Sequence, residues 1–83
     1  MRLTEHTKIR KEKFGTVVFE TLTEKIFVVS EHGGDILELV KEGKELGEIV
    51  DELSSNYDGD REAIEKDVVE FTDALRANKL IIE

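Results

Sequence analysis

The sequence contains no cysteine and no long hydrophobic run, and each absence removes a class of protein. Without cysteine there is no disulfide framework, no thiolate zinc site and no cysteine nucleophile, and nothing indicates an oxidising compartment. The longest apolar run, Ile26 to Val29, is far shorter than the about 20 residues that cross a bilayer, and no N-terminal stretch is typical of a signal peptide. We therefore expect a soluble, cytoplasmic protein that does not bind a membrane.

The 83 residues suffice for one small domain, which we expect to span residues 1–83. A chain of this length buries only about 60% of the surface that its unfolded form exposes, so there is little room for a cleft that excludes water. No set of residues supplies a nucleophile, a base and an oxyanion donor together. The acidic stretch from Asn56 to Asp67 departs from a calcium loop, because Arg61 stands where that loop needs glycine. We expect a non-catalytic protein with no metal and no other cofactor.

The hydrophobic pattern in the first part of the chain is typical of strands. Three segments, Thr7 to Phe14, Thr16 to Thr21 and Lys25 to Ser30, either alternate loosely or are rich in β-branched and aromatic residues. The connections between them are short, and Gly15 is expected to end the first strand. The segments therefore predict three antiparallel strands in the order 1-2-3.

From Ser30 onward the apolar residues follow the helical spacing of three and four. Ser30 is a good N-cap for a first helix that stops at Gly43, a second helix follows, and Asp60 caps a third that runs to about Asn78. Residues 80–82 close the chain as a short strand or as an apolar tail. The expected fold is α+β: a small winged helix-turn-helix-like domain in which a three-stranded antiparallel sheet is followed by three helices.

Charge is distributed unevenly along the chain. The net charge is −8, yet Met1 to Lys13 carry +3, which leaves −11 for the remainder. Acidic side chains dominate the second and third predicted helices, and phosphate groups would repel them, so we expect no nucleic-acid partner. The basic stretch from Lys8 to Lys13 is interpreted as a solvated strand edge, with a phosphate contact as the alternative.

The third predicted strand is apolar at every position from Ile26 to Val29. Side chains on both of its faces would need burial, although three helices cover only one face of a three-stranded sheet. In the order 1-2-3 this strand is also an edge. An apolar edge is either covered by oligomerisation or used as a docking strand for an incoming peptide strand, and the pattern leaves both alternatives open.

The third predicted helix carries a second stripe beside its core row. The core row consists of Ile64, Val68, Phe71 and Leu75, and the stripe beside it consists of Glu65, Val69, Thr72 and Arg76. A groove between the edge strand and this helix would fit the stripe. Ordinary packing at the rim of the core explains Val69 and Thr72 equally well.

Several short motifs follow one another along the chain in a specific order. They are Arg10-x-Glu12-x-Phe14-Gly15, Ile26-Phe27-Val28-Val29-Ser30, Asp35-Ile36-Leu37-Glu38-Leu39-Val40, Glu48-Ile49-Val50-Asp51-Glu52-Leu53 with Tyr57, and Asp67-Val68-Val69-Glu70-Phe71 with Leu75, Leu80 and Ile81. In this arrangement the chain resembles the PqqD-like family, also called RiPP recognition elements, over about residues 7–82. It departs from the family pattern at Val29-Ser30, where Leu-Asn is common, and at Gly33-Gly34, where small helix-forming residues are usual. Both departures bear on the geometry of entry into the first helix.

The resemblance implies a peptide chaperone. Members of the family hold the leader segment of a ribosomally made precursor peptide as an added strand and present the peptide to a modifying enzyme, often a radical S-adenosylmethionine (radical SAM) enzyme. Carried over by position, the docking strand consists of Lys25, Ile26, Phe27, Val28, Val29 and Ser30, and the helix wall of Val69, Thr72, Asp73 and Arg76. The protein is then a monomer or a weak or domain-swapped dimer. The alternative is a structural or regulatory homodimer that pairs the same edge strand with its copy and has no peptide site.

Overall fold

The computed structural model describes residues 1–82, which form two antiparallel sheets and three helices. In chain order the elements are β1 (Arg2–Leu3), β2 (Thr7–Glu12), β3 (Gly15–Glu20), β4 (Lys25–Val29), α1 (Glu31–Lys41), α2 (Leu46–Asn56), α3 (Arg61–Ala77) and β5 (Ile81–Ile82). Strands β2, β3 and β4 form a meander in that order, which confirms the predicted fold class and strand order. None of the helices in this part of the chain has the length and hydrophobicity that crossing a bilayer requires.

The short strand β1 was not predicted from the sequence. Arg2 pairs with Ile82 and Leu3 with Ile81, so the apolar C-terminal segment is a strand and not a tail. A two-residue strand leaves no alternating pattern in the sequence, because its only pairing partner lies at the other end of the chain. The small β1–β5 sheet thereby joins the two ends of the described chain.

The hairpin between β2 and β3 is tighter than the sequence indicated. Strand β2 ends at Glu12 rather than at Phe14, and Glu12 pairs directly with Gly15. Gly15 has a φ of +144°, which glycine adopts without strain, and a Cβ at this position would collide with the Val29 carbonyl oxygen. The prediction that Gly15 ends the first strand is therefore wrong, since this glycine begins the second one.

The helices begin and end at the residues that the sequence signals indicated. The Ser30 hydroxyl accepts a hydrogen bond from the Gly33 N–H at 3.2 Å, and the Asp60 carboxylate accepts one from the Glu62 N–H at 3.1 Å. These bonds satisfy N–H groups that have no partner inside their helices. Helix α1 ends just before Gly43, whose φ of +85° suits a glycine that follows a helix.

One apolar core lies between the helices and one face of the larger sheet. It consists of Val18 from β3 with Ile36, Leu37, Leu39, Val40, Ile49, Val50, Leu53, Ile64, Val68, Leu75, Leu80 and Ile81. Half-buried apolar residues surround it, namely Met1, Leu3, Ile9, Phe27, Val29, Leu46 and Phe71. Because so small a domain has little buried surface in total, each fully buried side chain supplies a large share of its stability.

The first turn of α1 lies directly against the sheet. A Cβ on Gly34 would collide with the Thr16 hydroxyl, and a Cβ on Gly33 would lie 2.8 Å from Cε1 of Phe71 and 3.3 Å from Cβ of Val29. Side chains at these two positions would push α1 away from β3 and α3. The departure from the family pattern at Gly33-Gly34 is therefore a packing requirement of this chain.

A buried carboxylate holds the turn between β3 and β4. Glu20 is only 5% exposed, and its oxygens accept hydrogen bonds from the Leu22 N–H at 2.8 Å, the Thr23 N–H at 2.9 Å and the Thr23 hydroxyl. The His6 Nε2 lies 3.8 Å from the same carboxylate. The Thr23 hydroxyl bond, helped by the two backbone bonds and by the charge of His6, lowers the pKa of Glu20 below its ordinary 4.5 and outweighs the opposing effect of burial.

The core predicts a large loss of stability on truncation. Ile49 has no exposed surface, so Ile49→Ala removes buried methyl groups, leaves a cavity and should lower the free energy of unfolding by about 2–5 kcal/mol. Leu22→Ala is the control, because Leu22 is 73% exposed and its truncation should change that free energy by less than about 0.5 kcal/mol. Urea unfolding followed by circular dichroism measures both variants, and equal losses would contradict this description of the core.

The lowered pKa of Glu20 predicts a dependence of stability on pH. A carboxylate favoured by the fold contributes fully above its ordinary pKa of 4.5, and this contribution is lost as the pH falls through the lower pKa of the folded chain. Glu20→Gln should therefore flatten the fall in the free energy of unfolding between about pH 5 and more acidic conditions. Glu24→Gln, at an exposed position of the same turn, is the matched control and should keep the wild-type slope. Identical slopes for wild type and Glu20→Gln would refute the assignment.

Candidate functional site

Strand β4 is an edge of the three-stranded sheet. It pairs with β3 on one side, and on its other side no strand from residues 1–82 pairs with it. The backbone groups that point away from β3 form a row that an extended peptide can pair with. The prediction that this apolar segment is an edge strand is confirmed.

The side chains of β4 divide between the two faces of the sheet. Phe27 and Val29 are half-buried and pack against the core, whereas Ile26 and Val28 are each 64% exposed on the opposite face. This division explains why the strand is apolar from Ile26 to Val29. Phe27 and Val29 pack against the core, and Ile26 and Val28 form an exposed apolar surface.

Strand β4 and helices α1 and α3 pack closely together at one point. A Cβ built on Gly33 of α1 would touch both the ring of Phe71 in α3 and the Cβ of Val29 in β4. The three elements therefore come together at the C-terminal end of β4. Phe71 was predicted as a core residue from its helical spacing. It is half-buried, and it lies near Val29 of β4.

An open pocket of about 380 Å³ lies at the N-terminal end of β4. It is lined by His6, Glu20, Leu22, Thr23 and Lys25 from the strands and their turn, and by Ala77, Asn78 and Lys79 from the end of α3. Lys25 thus lies near the end of α3, while Val29 lies near Phe71 in its middle. Strand β4 and helix α3 therefore run in opposite directions, and we call the surface between these two contacts the groove.

The side of α3 that faces this groove follows from helical geometry. Phe71 and Asn78 are seven residues apart, which is about two turns, so they lie on the same side of the helix. Ala74 lies between them on that side, is exposed, and its carbonyl oxygen accepts a hydrogen bond from the Asn78 side-chain amide at 2.8 Å. We call Phe71, Ala74 and Asn78 the groove flank of α3.

The four α3 residues predicted for the helix wall lie on other sides of the helix. Val69 is half-buried and stands about 200° around the helix from Phe71. Thr72 is 2% exposed, and its hydroxyl donates to the carbonyl oxygens of Val68 and Val69 at 2.9 and 3.1 Å. The remaining two, Asp73 and Arg76, are exposed and form an ion pair at 3.0 Å. Contact between these four residues and a peptide stays a prediction.

The groove presents backbone, apolar and charged groups. Among residues 1–82 no three His, Asp or Glu side chains come close enough together to hold a metal ion. The Ser30 hydroxyl, at the end of the predicted docking strand, is used as the cap of α1. What the groove offers is therefore an unpaired strand edge, apolar side chains and a few charges at its ends.

Comparisons with known proteins agree with this fold. A solved structure described as "TbiB1 in Complex with the TbiA(beta) Leader Peptide" shares the fold with a TM-score of 0.89 and 29% identity, over 96% of this chain and 93% of that one. A second, "Lasso peptide synthetase B1 complexed with the leader peptide", has a TM-score of 0.87 and 17% identity over 99% and 96% of the two chains, which shows the common fold. No curated protein matches the chain.

The family itself is established by a sequence model. The model for Coenzyme PQQ synthesis protein D (PqqD) matches residues 15–81. This match runs from the start of β3 to the start of β5 and so includes β4, all three helices and the groove between β4 and α3. The chain belongs to the PqqD family.

Proposed function

We propose that this protein binds the leader segment of a ribosomally synthesised precursor peptide and presents the peptide to a modifying enzyme. The observation that carries the proposal is the unpaired, apolar edge of β4 beside a groove bordered by α3. Support comes from TbiB1, which has the same fold at 29% identity and is described in complex with a leader peptide.

The leader binds as a fourth strand of the sheet in this proposal. The backbone of Lys25 to Ser30 supplies hydrogen bonds, which give affinity with little dependence on sequence, and pockets for alternate side chains give the preference. The inward side chains of the leader would pack between Phe27, Val29 and Phe71. Because a disordered leader loses conformational freedom when it binds, we expect a Kd of about 1 μM, which corresponds to roughly −8 kcal/mol.

Either of two sides of α3 could form the second wall of the groove, opposite β4. We assign the wall to the groove flank, because Phe71 lies beside Val29 and Asn78 lines the pocket at Lys25. The stripe predicted from the sequence, with Val69, Thr72, Asp73 and Arg76, is the alternative wall. The two assignments differ in which exposed α3 position a bound leader would touch.

The protein's own role is binding rather than catalysis. The residues of the groove provide hydrogen-bonding and apolar surface, so the chemical step belongs to the enzyme that receives the peptide, such as a radical SAM enzyme. The acidic surface favours leaders that carry positive charge beside the docking segment. We expect the protein to act in the cytoplasm, in keeping with its lack of cysteine. We expect it to be a monomer or a weak or domain-swapped dimer.

An amide chemical-shift titration tests the proposal directly. Isotope-labelled protein is mixed with candidate leader peptides encoded by short reading frames beside its gene. We expect shifts concentrated in residues 25–30 and on the groove flank. Shifts that depend on protein concentration and not on peptide would instead support an edge-strand homodimer, and a folded monomer without shifts in β4 would refute the proposal.

A pair of substitutions tests which side of α3 forms the wall. Ala74→Glu places a charge on the groove flank at an exposed helix position and should weaken leader binding at least about tenfold, equivalent to about 1.4 kcal/mol. Arg76→Glu, also at an exposed position, is the comparison and should change the affinity by less than about threefold. Calorimetry measures both, with circular dichroism to confirm folding. The reverse ranking would assign the wall to the sequence-predicted stripe.

A further inference from the structure

An apolar patch lies on the face of the sheet opposite the core. It is formed by Val17 and Phe19 of β3 with Ile26 and Val28 of β4, and we call it the outer patch. In the sheet register Phe19 is opposite Ile26, and Val17 is opposite Val28. The helices pack on the other face, that of Val18, so nothing in residues 1–82 covers Ile26 and Val28, which are each 64% exposed.

The outer patch is covered on one side only. On the β2 side, Arg10 is opposite Val17, and its guanidinium lies 5.5 Å from the ring centroid of Phe19. Glu12 holds this guanidinium through an ion pair of 2.6 Å. Among residues 1–82, Val17 is only 6% exposed, whereas Ile26 and Val28 on the β4 side of the patch are each 64% exposed. The exposed part of the patch therefore lies along the edge where a peptide strand would be added.

A strand added to β4 would place alternate side chains over this exposed part. Residues directly opposite one another in neighbouring strands have Cβ atoms about 4.5–5.5 Å apart, and apolar pairs at this distance stabilise the sheet. Two outward-facing side chains of the added strand, at positions i and i+2, would therefore lie beside Ile26 and Val28. The two apolar residues would then lose much of their exposure to water.

We propose that the leader segment recognised by this protein is apolar on both faces of its strand. Its inward side chain at i+1 enters the groove, and its outward side chains at i and i+2, β-branched or aromatic, complete the outer patch. The preferred ligand is then a continuous apolar run and not an alternating apolar and polar strand. This inference rests on the proposed function and extends it to the side chains that face away from the groove.

A second copy of this chain packed face to face is a poorer occupant of the same patch. Two sheets packed face to face through the outer patch would bring Lys8 and Arg10 of one copy towards those of the other. Each copy also carries a net charge of −8. Both effects oppose association through this face, whereas an apolar peptide strand meets neither of them.

Selection from a phage-displayed library of random linear peptides on the folded protein tests the inference. Amide shifts first identify the selected peptides that bind along β4, and methyl nuclear Overhauser contacts with Ile26 and Val28 identify their outward positions. We expect apolar residues to be enriched at both outward positions. Replacing both by serine in a selected peptide should weaken binding about twofold to thirtyfold.

Variants of the protein provide the matched comparison. The double variant Ile26→Thr with Val28→Thr keeps β-branched residues in β4 but makes the patch more polar, so selection on it should lose the apolar preference at the outward positions alone. Ile82→Thr, the same substitution in β5, should keep the wild-type preference. Peptides that bind β4 with polar or unselected outward residues would overturn this inference and leave the proposed function intact. A library in which no peptide binds along β4 would overturn both.

Discussion

The contact between the first turn of α1 and the sheet is the constraint on which the groove depends. Gly33 and Gly34 bring the helix backbone so close to Thr16, Val29 and Phe71 that a methyl group at either position would collide with a neighbour. This approach places α1 beneath β3 and β4 and at the same time brings α3 to β4 through Phe71. A side chain at Gly34 would collide with Thr16 of β3, and one at Gly33 would displace the Phe71 ring from its place beside Val29.

The two edges of the sheet differ in a way that matters for specificity. Strand β2 presents alternating charged side chains such as Lys8 and Arg10, and long charged side chains on an edge discourage association with other strands. Strand β4 presents Ile26 and Val28 instead, at 64% exposure each. An unprotected apolar edge in a small domain is costly to solubility, and its presence on only one side of the sheet indicates a surface that is covered in use.

Membership of the PqqD family and the geometry of the groove are two independent observations, and both support peptide binding. The family match and the shared fold of TbiB1 identify the kind of domain, yet a fold by itself does not determine what a protein binds. Peptide binding by this chain is supported by its own open strand edge and by the pocket between Lys25 and Lys79. The carboxylate of Glu20 contributes by holding the turn from which β4 starts.

The sequence by itself determined the elements and their order, because the signals for them are local. Alternating or β-branched residues indicated the strands, and apolar residues spaced three and four apart indicated the helices. Ser30 and Asp60, predicted as helix N-caps, have that role in the structure. The edge position of the apolar strand followed as well, since short connections permit only a meander. These features depend on residues that are close together along the chain.

Only the tertiary structure decided which side chains form the groove. The row from Ile64 to Leu75 has one periodicity, yet Phe71 in that row is half-buried while Val68 is fully buried. Strand β1 could not be predicted from the local sequence, because it is stabilised by pairing with β5 at the other end of the chain. Periodicity shows which side of a helix is apolar, whereas the neighbour that covers that side is determined by contacts between residues far apart in sequence.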